Sequence, residues 1–286
     1  MKRLCELGQV SRSGFYRSRR QPPAGDGECA VRDALQRVAL EFPSYGWPRM
    51  TPELRRRGWV INHKRVYRMM REDNLLCLRR RKFVRTTDST HRFAVYPNLA
   101  RGMAVTQLNQ LWVADITYIQ LRVEFVYLAV ILDACSRRVI GWALGRSLEN
   151  ELTLQVLRQA LDQRRPGPGL VHHSDRGVQY ASHEYIGLLQ GQGITISMSR
   201  KGNPYDNAIA ESFMKTLKYE QVYREDYEDL REAHASIQRF LEQVYNEKRL
   251  HSALSYLPPA EFERALVAKE KPKKWKMMDP AYRTAR

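Results

Sequence analysis

The chain is 286 residues long, 43% hydrophobic and 28% charged, with a formal net charge of +17. That length supports two or three compact units with at least one sizeable core. No apolar run approaches the ~20 residues of a bilayer-crossing helix, which excludes a helical membrane protein.

The first twenty residues hold no apolar signal core, so a cytoplasmic protein is expected, nucleoid-associated when bound to DNA. Cys5, Cys29, Cys77 and Cys135 form no CxxC pair, and reduced thiols without structural zinc are expected. The charge is uneven. Residues 1–110 carry 23 Lys and Arg against 9 Asp and Glu, whereas residues 111–286 carry 25 against 22. A basic N-terminal part points to a polyanion partner, with nucleic acid favoured.

Residues 1–28 read as a short helical segment and linker, ending in QPPAGDGE. Residues 29–85 read as an all-α region. Its first helix, 29–42, has Val31, Leu35, Val38 and Phe42 on one face. Thr51 is expected to cap a short helix that has Pro52 at its first position and stops at Gly58. Asn62 is expected to cap the next helix, 63–73, which presents His63, Lys64, Arg65, Arg68 and Arg71. Two short helices joined at a glycine turn make a helix-turn-helix candidate. A solvated basic face on an ordinary helical bundle is the alternative. Arg79, Arg80 and Arg81 extend the charge for phosphate contact or a linker, and residues 86–108 read as a linker.

From residue 109 the pattern turns to strands. Runs 111–120, 124–134 and 137–144 are β-rich, a helix spans 149–164, and a short strand, 170–175, ends at an aspartate. A helix over 182–191, a strand over 194–199 and a final helix carrying Glu211 complete a βββαβαβα order. That alternation predicts an α/β unit, a mixed five-stranded sheet with flanking helices. On the last helix Ile209, Phe213 and Leu217 should face inward, with Glu211, Lys215, Lys218 and Val222 on a neighbouring face. Asp206 or Asn207 can cap it. Residues 223–268 read as a helical extension of this 109–222 core, and 269–286 as a basic tail.

Three acids stand out. Asp115 interrupts an apolar strand, where a carboxylate is costly unless it is paired, hydrogen-bonded or metal-bound. Asp175 follows the fourth strand, and Glu211 follows it with 35 residues between. Neighbouring first and fourth strands would bring the aspartates together, and the helix would add Glu211. Converging carboxylates raise one another's pKa unless cations compensate, and two Mg²⁺ ions suit such hard oxygen donors. Asp115 would then bridge, with Asp175 and Glu211 each completing one ion. Taken singly, each acid has a plainer role: a strand acid on backbone amides, a turn former, and a partner for Lys215.

The segments WVADITYI, HHSDRGVQY and GNPYDNAIAESFMKTLK resemble the D,D(35)E transposases of bacterial insertion sequences, relatives of retroviral integrase. SRSGFYRSRR, YGWPRMTPELRRRG and YNEKRLHSALSYLPPAEF extend the likeness over nearly the whole chain, and the chain is similar to the downstream product of the two-frame group. The resemblance implies an RNase H-like catalytic core with Asp115, Asp175 and Glu211 as catalytic, metal-binding residues served by Mg²⁺ or Mn²⁺. It also implies cleavage at element ends followed by 3′-hydroxyl strand transfer. Lys218 matches the family's lysine seven positions after its glutamate and is expected to contact DNA, with Lys215 beside it. Asp206, Asn207 and His173 would be supporting residues, and Asp133, His172 and His251 structural ones.

The implied partners are the element's terminal inverted repeats, target DNA, further copies of the chain, and an upstream-frame product carrying a helix-turn-helix and a coiled coil. This chain shows no sustained heptad pattern and no His/Cys zinc module of the retroviral kind. A catalytically silent DNA-binding regulator and an RNase H-like nuclease without strand joining are the alternatives.

Overall fold

The computed structural model describes residues 11, 26–76, 94–200 and 204–278. The chain separates into two compact units, Met1–Arg79 and Arg80–Arg286. The expected helices within residues 1–20, together with Arg79, Arg80, Arg81 and the last tail residues, lie outside the described residues.

The first unit contains α1 (Asp26–Glu41), α2 (Trp47–Arg56) and α3 (His63–Glu72). Val31, Leu35, Val38, Met50, Leu54, Val66, Met69 and Met70 close its core. Asn62 caps α3, its side chain accepting from the Lys64 amide at 2.9 Å. Gly58 sits in the turn between α2 and α3 at φ +89°, a conformation that glycine adopts without strain. The expected cap at Thr51 is not formed. α2 begins a full turn earlier, at Trp47 with Pro48 next, and Pro52 lies inside the helix. Thr51 instead donates from its hydroxyl to the Trp47 carbonyl at 2.8 Å, a bond made within a helix.

The second unit is built on a five-stranded sheet: β1 (Leu111–Gln120), β2 (Phe125–Asp133), β3 (Val139–Gly145), β4 (Val171–Ser174) and β5 (Thr195–Met198). Their order is β3-β2-β1-β4-β5. The β1–β2 and β2–β3 pairs are antiparallel, and β1–β4 and β4–β5 are parallel, so the sheet is mixed. Helices α4 (Asn150–Arg164), α5 (Val178–Ala181) and α6 (His183–Gly191) come between β3 and β5. α7 (Ala208–Glu220), α8 (Leu230–Arg239) and α9 (Pro259–Met278) follow. α5 is an extra short turn that strand and helix periodicity did not anticipate.

Alternation along β1 divides the core in two. Leu111, Val113 and Ile119 pack with Phe213, Met214 and Leu217 of α7, whereas Trp112 and Ala114 pack with Leu157 and Ala160 of α4. The sheet is thus covered on both faces. At Gly141 of β3 any side chain would meet the Val156 carbonyl at 2.6 Å, so glycine lets α4 lie against the sheet. Val222 departs from expectation: α7 ends at Glu220, and Val222 is buried in the next turn, away from the face of Glu211.

Two polar ties hold the periphery. Asp133, fully buried, accepts from the amides of Asn109, Cys135 and Ser136. Glu263 of α9 accepts from Ser136 and from the guanidinium groups of Arg138 and Arg164. Its arginine and serine donors lower the Glu263 pKa against burial, whereas burial raises that of Asp133 despite its amides.

Candidate active site

The parallel ladder between β1 and β4 positions the two aspartates. Its pairs are Leu111 with Val171, Trp112 with His172 and Val113 with His173. Two residues past the last pair on each strand stand Asp115 and Asp175, so the register that ends at Val113–His173 leads to both. Alternation puts Asp115 on the sheet face covered by α7. Glu211 lies in the first turn of that helix.

Asp115 accepts a hydrogen bond from the Ile116 amide at 2.9 Å. Burial, then the Asp175 charge, then that of Glu211 push its pKa up to about 8, against the opposing pull of the amide and Lys218. Asp175 does form the turn its position suggests, accepting from the Gly177 amide at 2.9 Å. A side chain at 177 would meet the same carboxylate oxygen at 2.9 Å, so glycine there keeps the carboxylate unobstructed. Glu211 is exposed, with its pKa raised by partial burial. Among the described residues no ion pair joins it to Lys215, which is also exposed. The three acids therefore meet within electrostatic reach of Asp115. Among the described residues, however, no three His, Cys, Asp or Glu side chains are close enough to cage an ion.

The expected side-chain cap on α7 does not form. Neither Asp206 nor Asn207 caps α7 with its side chain. Asp206 accepts from the Arg200 amide at 2.9 Å and its guanidinium at 3.0 Å, and this pairing holds its carboxyl well below the usual range. Asn207, buried, donates instead to the Ala114 carbonyl at 3.1 Å, tying the start of α7 to β1 one residue before Asp115. His173 is buried between the hydroxyls of Ser197 and Ser199, at 2.8 and 3.0 Å. Its neighbour His172 contacts the Tyr185 hydroxyl at 2.9 Å, and burial drives its pKa down to about 3. Both histidines brace β4 from the side.

Lys218 is half-buried, with its ammonium 4.5 Å from the centre of the Tyr118 ring. Burial lowers its pKa while Asp115 raises it. Tyr180 is a residue that spacing arguments passed over. It is 3% exposed, its hydroxyl makes no hydrogen bond among the described residues, and both Asp115 and Asp175 raise its pKa further after burial and Tyr185. Its place five residues after Asp175 was the available signal.

Comparisons with known proteins identify the family. Two models of an integrase core domain match residues 105–204 and 192–259, and a model of an HTH-like domain matches 28–83. The chain is 38% identical over 263 residues to the uncharacterized 31 kDa protein of insertion element IS600 from Shigella sonnei, covering 91% of this chain and 97% of that one. It is 34% identical over 277 residues to the transposase InsF of insertion sequence IS3A from Escherichia coli (strain K12), covering 94% and 95%. The chain belongs to the insertion-sequence transposase family.

The transposase is thus a DDE-type polynucleotidyl transferase with an integrase-like core, and neither alternative, a silent regulator or a nuclease without joining, is favoured. Membership also implies dependence on a divalent metal. It is 38% identical as well to the transposase of IS904 from Lactococcus lactis subsp. lactis (strain IL1403) over 77% of this chain and 87% of that one. Among solved structures, the catalytic core of BIV integrase is similar at 20% identity and a TM-score of 0.42, covering 57% of this chain and 99% of that chain.

In the transposase's first unit, Lys64, Arg65, Arg68 and Arg71 are all exposed on α3. Arg65 and Arg68 lean toward Glu28 at 3.9 and 3.7 Å, and Arg68 also toward Glu72 at 3.8 Å. His63 stacks on Trp47, with ring centres 5.6 Å apart. Among the described residues no helix is long and apolar enough to cross a membrane.

Proposed function

We propose that Asp115, Asp175 and Glu211 form the site at which the transposase cuts DNA at the ends of its element and joins the freed 3′-hydroxyl to target DNA. The observation that carries this reading is the β1–β4 register, which runs from Val113–His173 toward Asp115 and Asp175 side by side. The donor set fits two Mg²⁺ or Mn²⁺ ions: three carboxylates supply hard oxygen ligands, and burial followed by the Asp175 charge holds Asp115 near pKa 8, a penalty that bound cations would relieve. Asp115, Asp175 and Glu211 would hold them. When bound, such a pair supplies Lewis-acid stabilisation of the phosphoryl oxygens and an activated attacking oxygen.

The protein's own residues do the rest. The Gly177 amide and the glycine's missing side chain orient the Asp175 carboxylate. Asn207 sets the distance of α7 from β1, and exposed Glu211 has the rotamer freedom to reach the aspartates. Lys218 offers a cation beside Asp115 for a neighbouring phosphate, with exposed Lys215 one turn before it. Lys64, Arg65, Arg68 and Arg71 on α3, with Arg79, Arg80 and Arg81 later in the sequence, grip DNA. The same reading includes action as an oligomer on the terminal inverted repeats, and joint work in the cytoplasm, at the nucleoid, with an upstream-frame product. The resemblance of the sequence motifs supports that part.

The test uses labelled DNA carrying the element's ends, with nicking and joining followed in Mg²⁺, Mn²⁺ and chelator. Glu211→Gln is expected to lower both steps by ~100-fold or more while DNA affinity stays within about twofold of wild type. Undiminished cutting by that variant would overturn the assignment.

A further inference from the structure

Three residues along β1 from Asp115, Tyr118 joins a cluster of partly exposed aromatic rings. Tyr118 meets Phe125 of β2 edge-on, with ring centres 5.7 Å apart and planes at 74°. The Lys218 ammonium lies 4.5 Å from the Tyr118 ring centre. Just beyond Lys218, Tyr219 meets Tyr223 edge-on at 5.6 Å. Tyr219 directly follows Lys218 on α7, so the lysine links the two ring pairs.

The rings are not sealed into the core. Phe125 is 52% exposed and Tyr223 47%, and nearby Val123 is 88% exposed. Scattered apolar side chains at a surface need no explanation, but adjoining aromatic rings with a lysine among them do. The flanking charges are internally matched: Arg122 pairs with Glu228 at 2.7 Å and Arg146 with Glu124 at 3.0 Å. What the patch offers a ligand is therefore ring faces together with the cation of Lys218, held against Tyr118 two turns of α7 after Glu211.

Ring faces next to a cation suit a nucleobase and its phosphate. In a duplex the faces of the bases are covered by their neighbours, and only a base out of the stack can present one. We infer that Phe125 and Tyr223, backed by Tyr118 and Tyr219, form a ledge for unpaired bases of the DNA strand at the active site, with Lys218 holding the adjoining phosphate beside Asp115. This deepens the proposed function and rests on it for the location of the scissile strand. A single-stranded DNA segment is the occupant because the ledge is continuous, through Lys218, with the carboxylate site of a DNA transposase.

The test is a binding experiment that needs no chemistry, on the full chain carrying Glu211→Gln without added metal. The probes are a duplex with a short single-stranded thymidine tail containing one 2-aminopurine, and the same duplex fully paired. Binding is expected to quench the 2-aminopurine, and the tailed DNA should bind more tightly. Phe125→Ser and Tyr223→Ser should each weaken the tailed duplex by roughly tenfold and leave the paired one within about twofold. Phe125→Leu keeps apolar bulk without a ring and should show the same selective loss, which guards against a misfolded serine variant.

Equal affinity for the two probes in the parent protein would overturn the inference, as would an equal loss on both in the variants. A change in oligomeric state by light scattering with unaltered DNA preference would also overturn it, making the patch a self-association face. If Glu211→Gln still cut DNA in metal, the site assignment would fail while the tail preference could still be read.

Discussion

A carboxyl group that holds its proton to about pH 8 makes folding depend on pH in an unusual direction. Asp115 has its folded pKa raised from 3.8 to about 8 by burial and by its acidic neighbours. Between those values the folded protein binds the proton that the unfolded chain releases, so this group's contribution to stability falls as pH rises from about 4 to about 8. The metal-free Asp115→Asn protein should therefore be more stable than wild type at pH 8, by about 2 kcal/mol after allowing for solvent screening, and little different at pH 4. Thermal melts in chelator across that range check the sign. His172 works the other way. Its folded pKa, depressed to about 3, leaves it neutral while the unfolded chain takes up a proton, so stability is lost as pH falls below 6.5, at about 1.4 kcal/mol per pH unit. Replacing His172 with Gln should flatten that acid limb.

At the scale of elements, the contact that matters most for the site is the one between α7 and β1. Local sequence offers Asp206 or Asn207 as the helix cap, because such residues before an apolar helix usually serve as one. The buried Ala114 carbonyl wins the Asn207 side chain instead, and a carbonyl lying 93 residues away in the chain leaves no trace in local sequence. Asn207→Ala should cost about 1–3 kcal/mol, since it leaves that carbonyl unsatisfied. It should also lower strand cleavage, because Glu211 rides on the same helix. Chemical denaturation and a cleavage assay on one preparation separate the two effects.

The same contrast runs through the rest of the chain. Asn62 caps α3 as expected because its partner is two residues away, and the five strands were legible from alternation and β-branched runs. Thr51 and Pro52 misled because a proline marks a helix start only when no earlier start exists, and Trp47–Pro48 supplied one. The three acids could be picked out by their company, Asp115 among apolar residues above all. The Tyr118–Lys218 contact could not, since it joins side chains from two elements.

For the whole molecule, the charge division is the property most open to measurement. The first 110 residues hold most of the excess positive charge, and Lys64 and Arg71 stand exposed on α3. Each phosphate contact contributes about 0.9 to the slope of log affinity against log salt. Lys64→Ala with Arg71→Ala should therefore reduce that slope by roughly 2 and weaken binding to all sequences alike. An unchanged slope would leave α3 as a solvated face.

The order in which the chain supplies its acids has a consequence during synthesis. Asp115 and Asp175 belong to a sheet whose five strands are complete at Met198, but Glu211 is translated later, on a helix that needs that sheet to pack against. Glu263, later still, ties α9 back to Ser136, Arg138 and Arg164. A nascent chain, or one cut short before Ala208, displays both aspartates and lacks their third partner. Under the proposed roles, the ribosome delivers a protein able to break DNA only after the helix that ends at Glu220 has been made.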